Sequence, residues 1–333
     1  MSASSMSAAT PSRAGGEQRR APRSGLAWLV ASGLLWGTGG LTGRLLGRAT
    51  GLPALSVACY RLLVGGALIV AFLTLTGRRW PSGRAAWTRI AVIGLLAALY
   101  QGCYFTAVAL TSVSLATLLT IGSAPVMVLV ADQVTGRRRL DRLAVGTTAL
   151  SLAGLALLVG LPSGGFGEST VAASAGLAVL SAAGFAAVTV IGSRPVDGLD
   201  DLTMTGFAFA LGGLVLLPAA VAAGGLGFRP APAALGLLIA LGTGPTAVAY
   251  TLYFRGLRTA AASTGALLAL LEPLTGTILA AVVLGDRLGI AGIAGAVVLA
   301  SAVVLTAATR RSAAGPADGA ATVTSRRNVA DDL

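Results

Sequence analysis

From about residue 25 to residue 308 the chain is one apolar run after another, each ended by a short turn signal. A helix needs about 20 mostly apolar residues to cross roughly 30 Å of hydrocarbon, and these runs have that length. Ten segments can be drawn, near Leu26–Leu46, Pro53–Leu75, Ile90–Leu110, Ser114–Val134, Leu143–Leu161, Val171–Ile191, Leu202–Ala222, Ala233–Phe254, Ala260–Leu284 and Leu288–Thr306. Only the stretch Ile90–Val134 needs an argument: its 45 residues hold a single charge, Asp132, and one unbroken helix there would be about 68 Å long. The polar run Thr111-Ser112-Val113-Ser114 is where it folds back. The first segment follows arginines as a secretory signal would, but it is long, lacks a small-x-small cleavage site and precedes nine more spans, so it reads as a retained helix.

With 55% hydrophobic residues, 11% charged residues and a mean hydropathy of +0.83, the chain is expected to be all-α and integral to a membrane, with no room for a soluble domain. Residues 1–24 and 309–333 are polar, small and aperiodic and read as disordered tails. The net charge of +12 comes from 24 Arg against 12 acids, with no Lys and no His. Without Lys there is no Walker A motif and no Schiff-base lysine; without His there is no Ser/His/Asp triad and no HExxH zinc site. Cys59 and Cys103 are far apart inside apolar runs and read as packing residues, so no metal and no cofactor are expected.

Placing the N-terminus in the cytoplasm puts 19 Arg on the inner side and only Arg44, Arg48, Arg229 and Arg287 on the outer, with Arg61 inside a span. That distribution predicts two cytoplasmic termini. It also accounts for the basic charge through topology and anionic lipid, without a nucleic-acid partner.

Segments four and five align with segments nine and ten at an offset of 148 to 149 residues, keeping Pro125 in step with Pro273 and Gly136-Arg137-Arg138 in step with Gly285-Asp286-Arg287. Five spans are an odd number, so two five-helix repeats enter the membrane from opposite sides, the inverted plan of many secondary transporters. The repeats are placed at 25–161 and 162–308.

Several short motifs then resemble the drug/metabolite transporter superfamily, specifically proteins with two EamA-type repeats. Trp36-Gly37 resembles its WG motif, Arg61 its helix-two arginine, and Tyr104-Phe105-Thr106-Ala107 followed by Ser114 its helix three-to-four junction. Pro125 resembles its helix-four proline, and Leu271-Glu272-Pro273 through Leu284-Gly285-Asp286-Arg287-Leu288 its closing signature. The first repeat departs from the second: Ala124 stands where the second has Glu272, and Arg137 or Arg138 where an acid is common, which argues against a symmetric two-carboxylate mechanism.

Charges in hydrocarbon are costly and usually functional. Glu272 lies 12 residues from each end of its span, about 18 Å from either side and so near the midplane. A charged carboxylate at that depth is poorly solvated, which makes Glu272 a candidate proton carrier. Pro273 removes one helical hydrogen bond and is expected to leave a carbonyl facing a cavity. Arg61 is within reach of Glu272 if their helices are neighbours; the alternatives are a structural ion pair or bonds to backbone carbonyls of broken helices. Trp36, Tyr100, Gln101, Tyr104, Thr120, Ser123 and Tyr250 carry polar tips inside spans and are further candidates for a substrate or proton pathway, with interhelical hydrogen bonding as the plain alternative. Pro125, Pro273 and Gly37 are read as helix-breaking or structural positions.

The expectation is a ten-helix multi-pass transporter of the bacterial inner membrane, not an enzyme, moving a small molecule by alternating access with protons as the coupling ion. Its partners are then the solute, protons and the bilayer, with a homodimer admissible. Efflux of an amino acid or related metabolite is what the resemblance implies. A lipid-modifying membrane enzyme or a non-transporting channel or scaffold is the rival reading.

Overall fold

The computed structural model describes residues 21–136, 142–160, 166–285 and 287–313. The remaining residues, among them Arg137, Arg138, Asp286 and most of both tails, lie outside the described residues. The chain is all helix: α1 (Ala21–Thr50), α2 (Ala54–Leu75), α3 (Arg84–Leu110), α4 (Val113–Val134), α5 (Arg142–Val159), α6 (Glu168–Gly192), α7 (Asp201–Ala222), α8 (Pro232–Gly242), α9 (Ala249–Leu257), α10 (Ala262–Leu268), α11 (Leu271–Leu284) and α12 (Ile290–Ala313). A π-helical turn, Thr243–Val248, joins α8 to α9, making one interrupted span, and α10 and α11 make another. Among the described residues, nine runs are apolar and long enough to cross a membrane. The tenth span is α1, whose 30 residues include the Gly and Thr that dilute its hydropathy.

The predicted hairpin falls at Thr111–Ser112, where Ser112 Oγ accepts the Leu115 N–H at 3.2 Å and caps α4. Helix nonetheless extends into both stretches read as tails, over residues 21–24 and 309–313. Once a turn exists, each added residue gains a backbone hydrogen bond, so a helix outlasts the apolar stretch that seeded it.

The helices form two inverted five-helix repeats that exchange their first members. Helix α1 packs on α9 and α11 of the second repeat, and α6 packs on α3 and α4 of the first. Across the same axis α2 pairs with α7, and α5 with α12. Apolar helices gain little from leaving apolar lipid, so close backbone packing at small residues must hold them. A Cβ at Gly94 would lie 2.6 Å from the Ala208 carbonyl, at Gly154 2.6 Å from Leu299 N, at Gly213 2.8 Å from Leu63 N and at Gly33 2.6 Å from the Leu268 carbonyl.

Because the helices alternate in direction, the start of α1 and the loops at 76–83, 193–200 and 258–261 share one face. That face carries Arg78, Arg79, Arg84, Arg89, Arg194, Arg255 and Arg258 and is called the Arg-rich face below. The loops at 51–53, 111–112 and 287–289 belong to the opposite face.

The glycine contacts yield a paired test. A Cβ at Gly66 would lie 2.7 Å from Ala210 Cα, whereas one at Gly176 meets nothing within 4 Å. Gly66→Ala is expected to cost about 1–3 kcal/mol by overpacking, and Gly176→Ala to be neutral or to gain up to about 1 kcal/mol from helix propensity. Thermal unfolding in detergent checks the opposite signs.

Candidate functional site

Where the chain departs from regular helix, it does so at proline. Pro245 has no N–H to give and its ring crowds the carbonyl four residues earlier, so the eighth span widens into the π turn. The Leu241 carbonyl takes a bond from Thr246 Oγ1 instead, at 2.7 Å. Thr246 accepts in turn from Arg61 Nε at 3.1 Å, and Arg61 Nη2 donates to the Pro245 carbonyl at 3.2 Å. Gly65 makes this reach possible: it stands one turn from Arg61 on the same face of α2, and a Cβ there would come within 2.9 Å of the Gly242 carbonyl.

The ninth span turns out of helix at Ala269–Leu270, one turn before Pro273. Pro273 cannot donate to the carbonyl four residues earlier, so Ala269 carries the carbonyl expected to be left facing the cavity. In the structure Glu272 N–H takes that role at 2.9 Å, tightening the turn into 3₁₀ geometry. Pro125, at the matching place in the first repeat, breaks nothing: α4 runs continuously through it.

Arg61, Tyr100, Gln101, Tyr104, Thr120, Tyr250, Glu272, Pro273 and Gly37 all line one cavity of about 620 Å³ between the repeats. Its charged lining residues are Arg44, Arg61 and Glu272, so Glu272 is the sole acid among the described residues that line it. Arg61 and Glu272 form no salt bridge; the bonds of Arg61 go to the π turn, which is the backbone-carbonyl alternative. Tyr104 OH and Thr117 Oγ1 bond at 2.8 Å, Thr120 Oγ1 donates to the Ala178 carbonyl at 3.1 Å, and the hydroxyls of Tyr100 and Tyr250 meet across the two repeats. Gln101 Nε2 reaches Tyr100 OH at 3.4 Å. Ala124, the counterpart of Glu272, lines the cavity without a charge.

Three candidates do not line the cavity: Pro125, Trp36 and Ser123. Trp36 is 2% exposed and lies outside it, its ring packed on Tyr250 at 4.7 Å, Tyr253 at 4.8 Å and Phe185 at 5.9 Å. Ser123 of α4 is not among the lining residues, although its neighbours Thr120, Ile121 and Ala124 are. Sequence reasoning passed over Phe105, Ser181 and Phe185, which do line it, and Thr246, which positions Arg61. The internal repeat contained a signal for some of these: Phe185 falls 149 residues after Trp36, and Tyr253-Phe254 repeats Tyr104-Phe105 at the same offset.

The cavity opens toward the face opposite the Arg-rich one, where Arg44, Leu52, Val113, Val159 and Leu288 line it. On the Arg-rich side the bundle is fastened. Arg258 Nε and Nη2 bond to Asp201 Oδ1 at 2.9 and 2.5 Å, Arg89 Nη1 caps the end of α6 through the Ile191 and Arg194 carbonyls at 2.6 and 2.7 Å, and Arg255 lies 5.1 Å over the Trp28 ring.

A cavity at the interface of two inverted repeats, open to one face and shut at the other, is what a carrier of small solutes requires. A profile of the EamA-like transporter family matches residues 23–160 and again 173–308. The chain belongs to that family. It is similar to a Bacillus subtilis protein named Uncharacterized transporter YwfM, 27% identical over 289 residues, 85% of this chain and 94% of that one. It is also similar to an uncharacterized transporter of Archaeoglobus fulgidus, at 28% over 260 residues, covering 77% and 89%. A Salmonella typhimurium protein named Uncharacterized inner membrane transporter YicL matches at 25% over 291 residues, covering 85% and 95%. A solved crystal structure shares the fold, with a TM-score of 0.71 at 19% identity over 85% of this chain and 98% of that one. This EamA-family chain is thus a multi-pass membrane protein and a transporter of small solutes.

The π turn gives a test of the Arg61 assignment. Arg61→Lys keeps the charge but cannot bond Thr246 and the Pro245 carbonyl together, and Thr246→Val removes the acceptor at nearly constant volume. Each is expected to cost about 1.5–3 kcal/mol of stability, the range for hydrogen bonds to a charged group. The double variant should lose less than the sum, and unfolding in detergent measures all three.

Proposed function

We propose that the protein is a secondary active transporter that exports a small zwitterionic metabolite, an amino acid or a close relative, across the bacterial inner membrane by alternating access driven by protons. Both termini lie in the cytoplasm in this reading, on the evidence of the arginines. The observation that carries it is Glu272: an acid near the membrane midplane, facing the cavity, beside the Pro273 helix break and unpaired with Arg61. A carboxylate that faces a cavity and is held in no salt bridge can exchange a proton or the ammonium of a solute, whereas a directly paired one is held.

Other features agree. Arg61 has bonds from Nε and Nη2 to the π turn while the residue lines the cavity, so its positive charge stays fixed there and favours a solute carboxylate. Tyr100, Tyr104, Phe105, Phe185 and Tyr250 add aromatic surface, and a volume of about 620 Å³ suits a small metabolite.

Reconstituted vesicles provide the test. The parent protein is expected to show saturable amino-acid flux that rises with an imposed pH gradient. Glu272→Gln should cut gradient-driven flux by an order of magnitude or more while solute exchange at equal pH persists. Full transport by Glu272→Gln with unchanged pH dependence would remove Glu272 from the coupling step.

A further inference from the structure

Among the described residues five buried side-chain groups have no hydrogen-bond partner: one is Nη1 of Arg258, and the other four, Ser32 Oγ, Trp36 Nε1, Ser263 Oγ and Thr264 Oγ1, lie between the cavity and Arg258. The residues of those four are 0%, 2%, 4% and 1% exposed. Each such group forfeits bonds it would make with water or a polar partner, at a cost of about 1–3 kcal/mol. Apolar residues would fill the same space at no such cost, so four orphans in one region call for a reason.

The four belong to one zone of the bundle. Ser32 and Trp36 are one turn apart on the same face of α1. Trp36 packs on Tyr253 of α9, whose hydroxyl bonds Thr189 of α6 at 2.9 Å and would lie 3.3 Å from a Cβ at Gly265. Gly265 follows Ser263 and Thr264 in α10. The zone therefore lies between α1, α6, α9 and α10, with the cavity residues Phe185 and Tyr250 on one side and the Asp201–Arg258 bridge on the other.

We infer that this zone is the closed half of the transport path, that its polar groups meet water and solute when it opens, and that the Asp201–Arg258 bridge is the latch that keeps it shut. The inference rests on the alternating-access reading above. It accounts for both features together: the orphans oppose the closed state, while the bridge ties α9 to α7 and Arg89 ties α3 to the end of α6 on that side. The repeat offset places Leu52 opposite Asp201 and Ala109 or Leu110 opposite Arg258, so this bridge has no counterpart at the matching positions of the first repeat.

Thiol labelling in vesicles tests this. Cys59 and Cys103 are first replaced by Ser, and single cysteines are placed at Ser263, at Thr117 on the open cavity and at Ser174 in the α3–α6 contact. The reagent is a small cationic methanethiosulfonate. Asp201→Asn is expected to speed labelling at position 263 by roughly tenfold, slow it at 117 and leave 174 unchanged. Because Asp201→Asn strands a partly buried guanidinium, the exchanged pair Asp201→Arg with Arg258→Asp serves as the second variant and should return labelling toward the parent rates. Unchanged labelling at 263, or labelling at 174 that rises in parallel, overturns the inference. Solute flux measured in the same vesicles separates the two ideas: saturable flux with unmoved labelling sinks the latch alone, while absence of saturable flux from the parent sinks the transport reading.

Discussion

The guanidinium of Arg61 sits where the eighth span fails as an α-helix, and the arrangement of the cavity wall depends on that contact. In hydrocarbon no water stands by to satisfy a freed backbone carbonyl, so irregular backbone survives only where side chains or a cavity take over the bond. Pro245 creates the fault, Thr246 covers the Leu241 carbonyl, and Arg61 holds both Thr246 and the Pro245 carbonyl. The contact needs α2 almost in touch with the fault, which Gly65 permits, and it leaves a cation at the cavity wall. One arginine thus repairs a broken helix and sets the charge of the site.

The second fault, before Pro273, follows the same logic with a different remedy. There the Glu272 amide takes the carbonyl that proline cannot serve, and the Glu272 side chain lies among the cavity residues. Both faults are in the second repeat. Its partner has Pro125 in an unbroken α4 and Ala124 in place of the acid. The two halves share a fold, yet cation and acid are presented by different means: Arg61 from the first repeat braces the second, and Glu272 comes from the second alone.

The spans, the hairpin at Thr111–Ser112 and the inverted repeat are all legible in the sequence, because each follows from hydropathy, turn residues and an offset that local reading can detect. The cavity lining is legible in part. Arg61 and Glu272 stand out since charges are rare in such helices, whereas Trp36 and Ser123 fall outside the lining for a reason that local sequence does not carry. These helices are apolar nearly all round, so no polar stripe marks the inward face, and the face is set by which neighbour a glycine admits. Trp36 is buried because α1 crosses into the second repeat and meets α9. Thr246 is ordinary in sequence and becomes decisive only once Pro245 has opened the π turn. Asp201 and Arg258, 57 residues apart, have no shared motif and meet only through the antiparallel return of the chain.

The arginines have more than one task. Their distribution fits a topology signal, but Arg89, Arg255 and Arg258 also spend their hydrogen bonds or ring contact tying α3 to α6, α9 to α1 and α9 to α7 at a single face. A planar fork with several donors is suited to capping helix ends and bridging to a carboxylate in one side chain, which a lysine ammonium does less well. Lysine would satisfy the topology signal equally, so a chain with 24 Arg and no Lys keeps the donors that such fastening needs. At the opposite face the cavity mouth is lined by Arg44 together with glycine, leucine and valine. Pseudo-symmetric repeats would open and close both sides with equal ease, so in the proposed cycle the asymmetry has to come from features that the repeats do not share, and the ties made by Arg89, Arg255 and Arg258 at one face are of that kind.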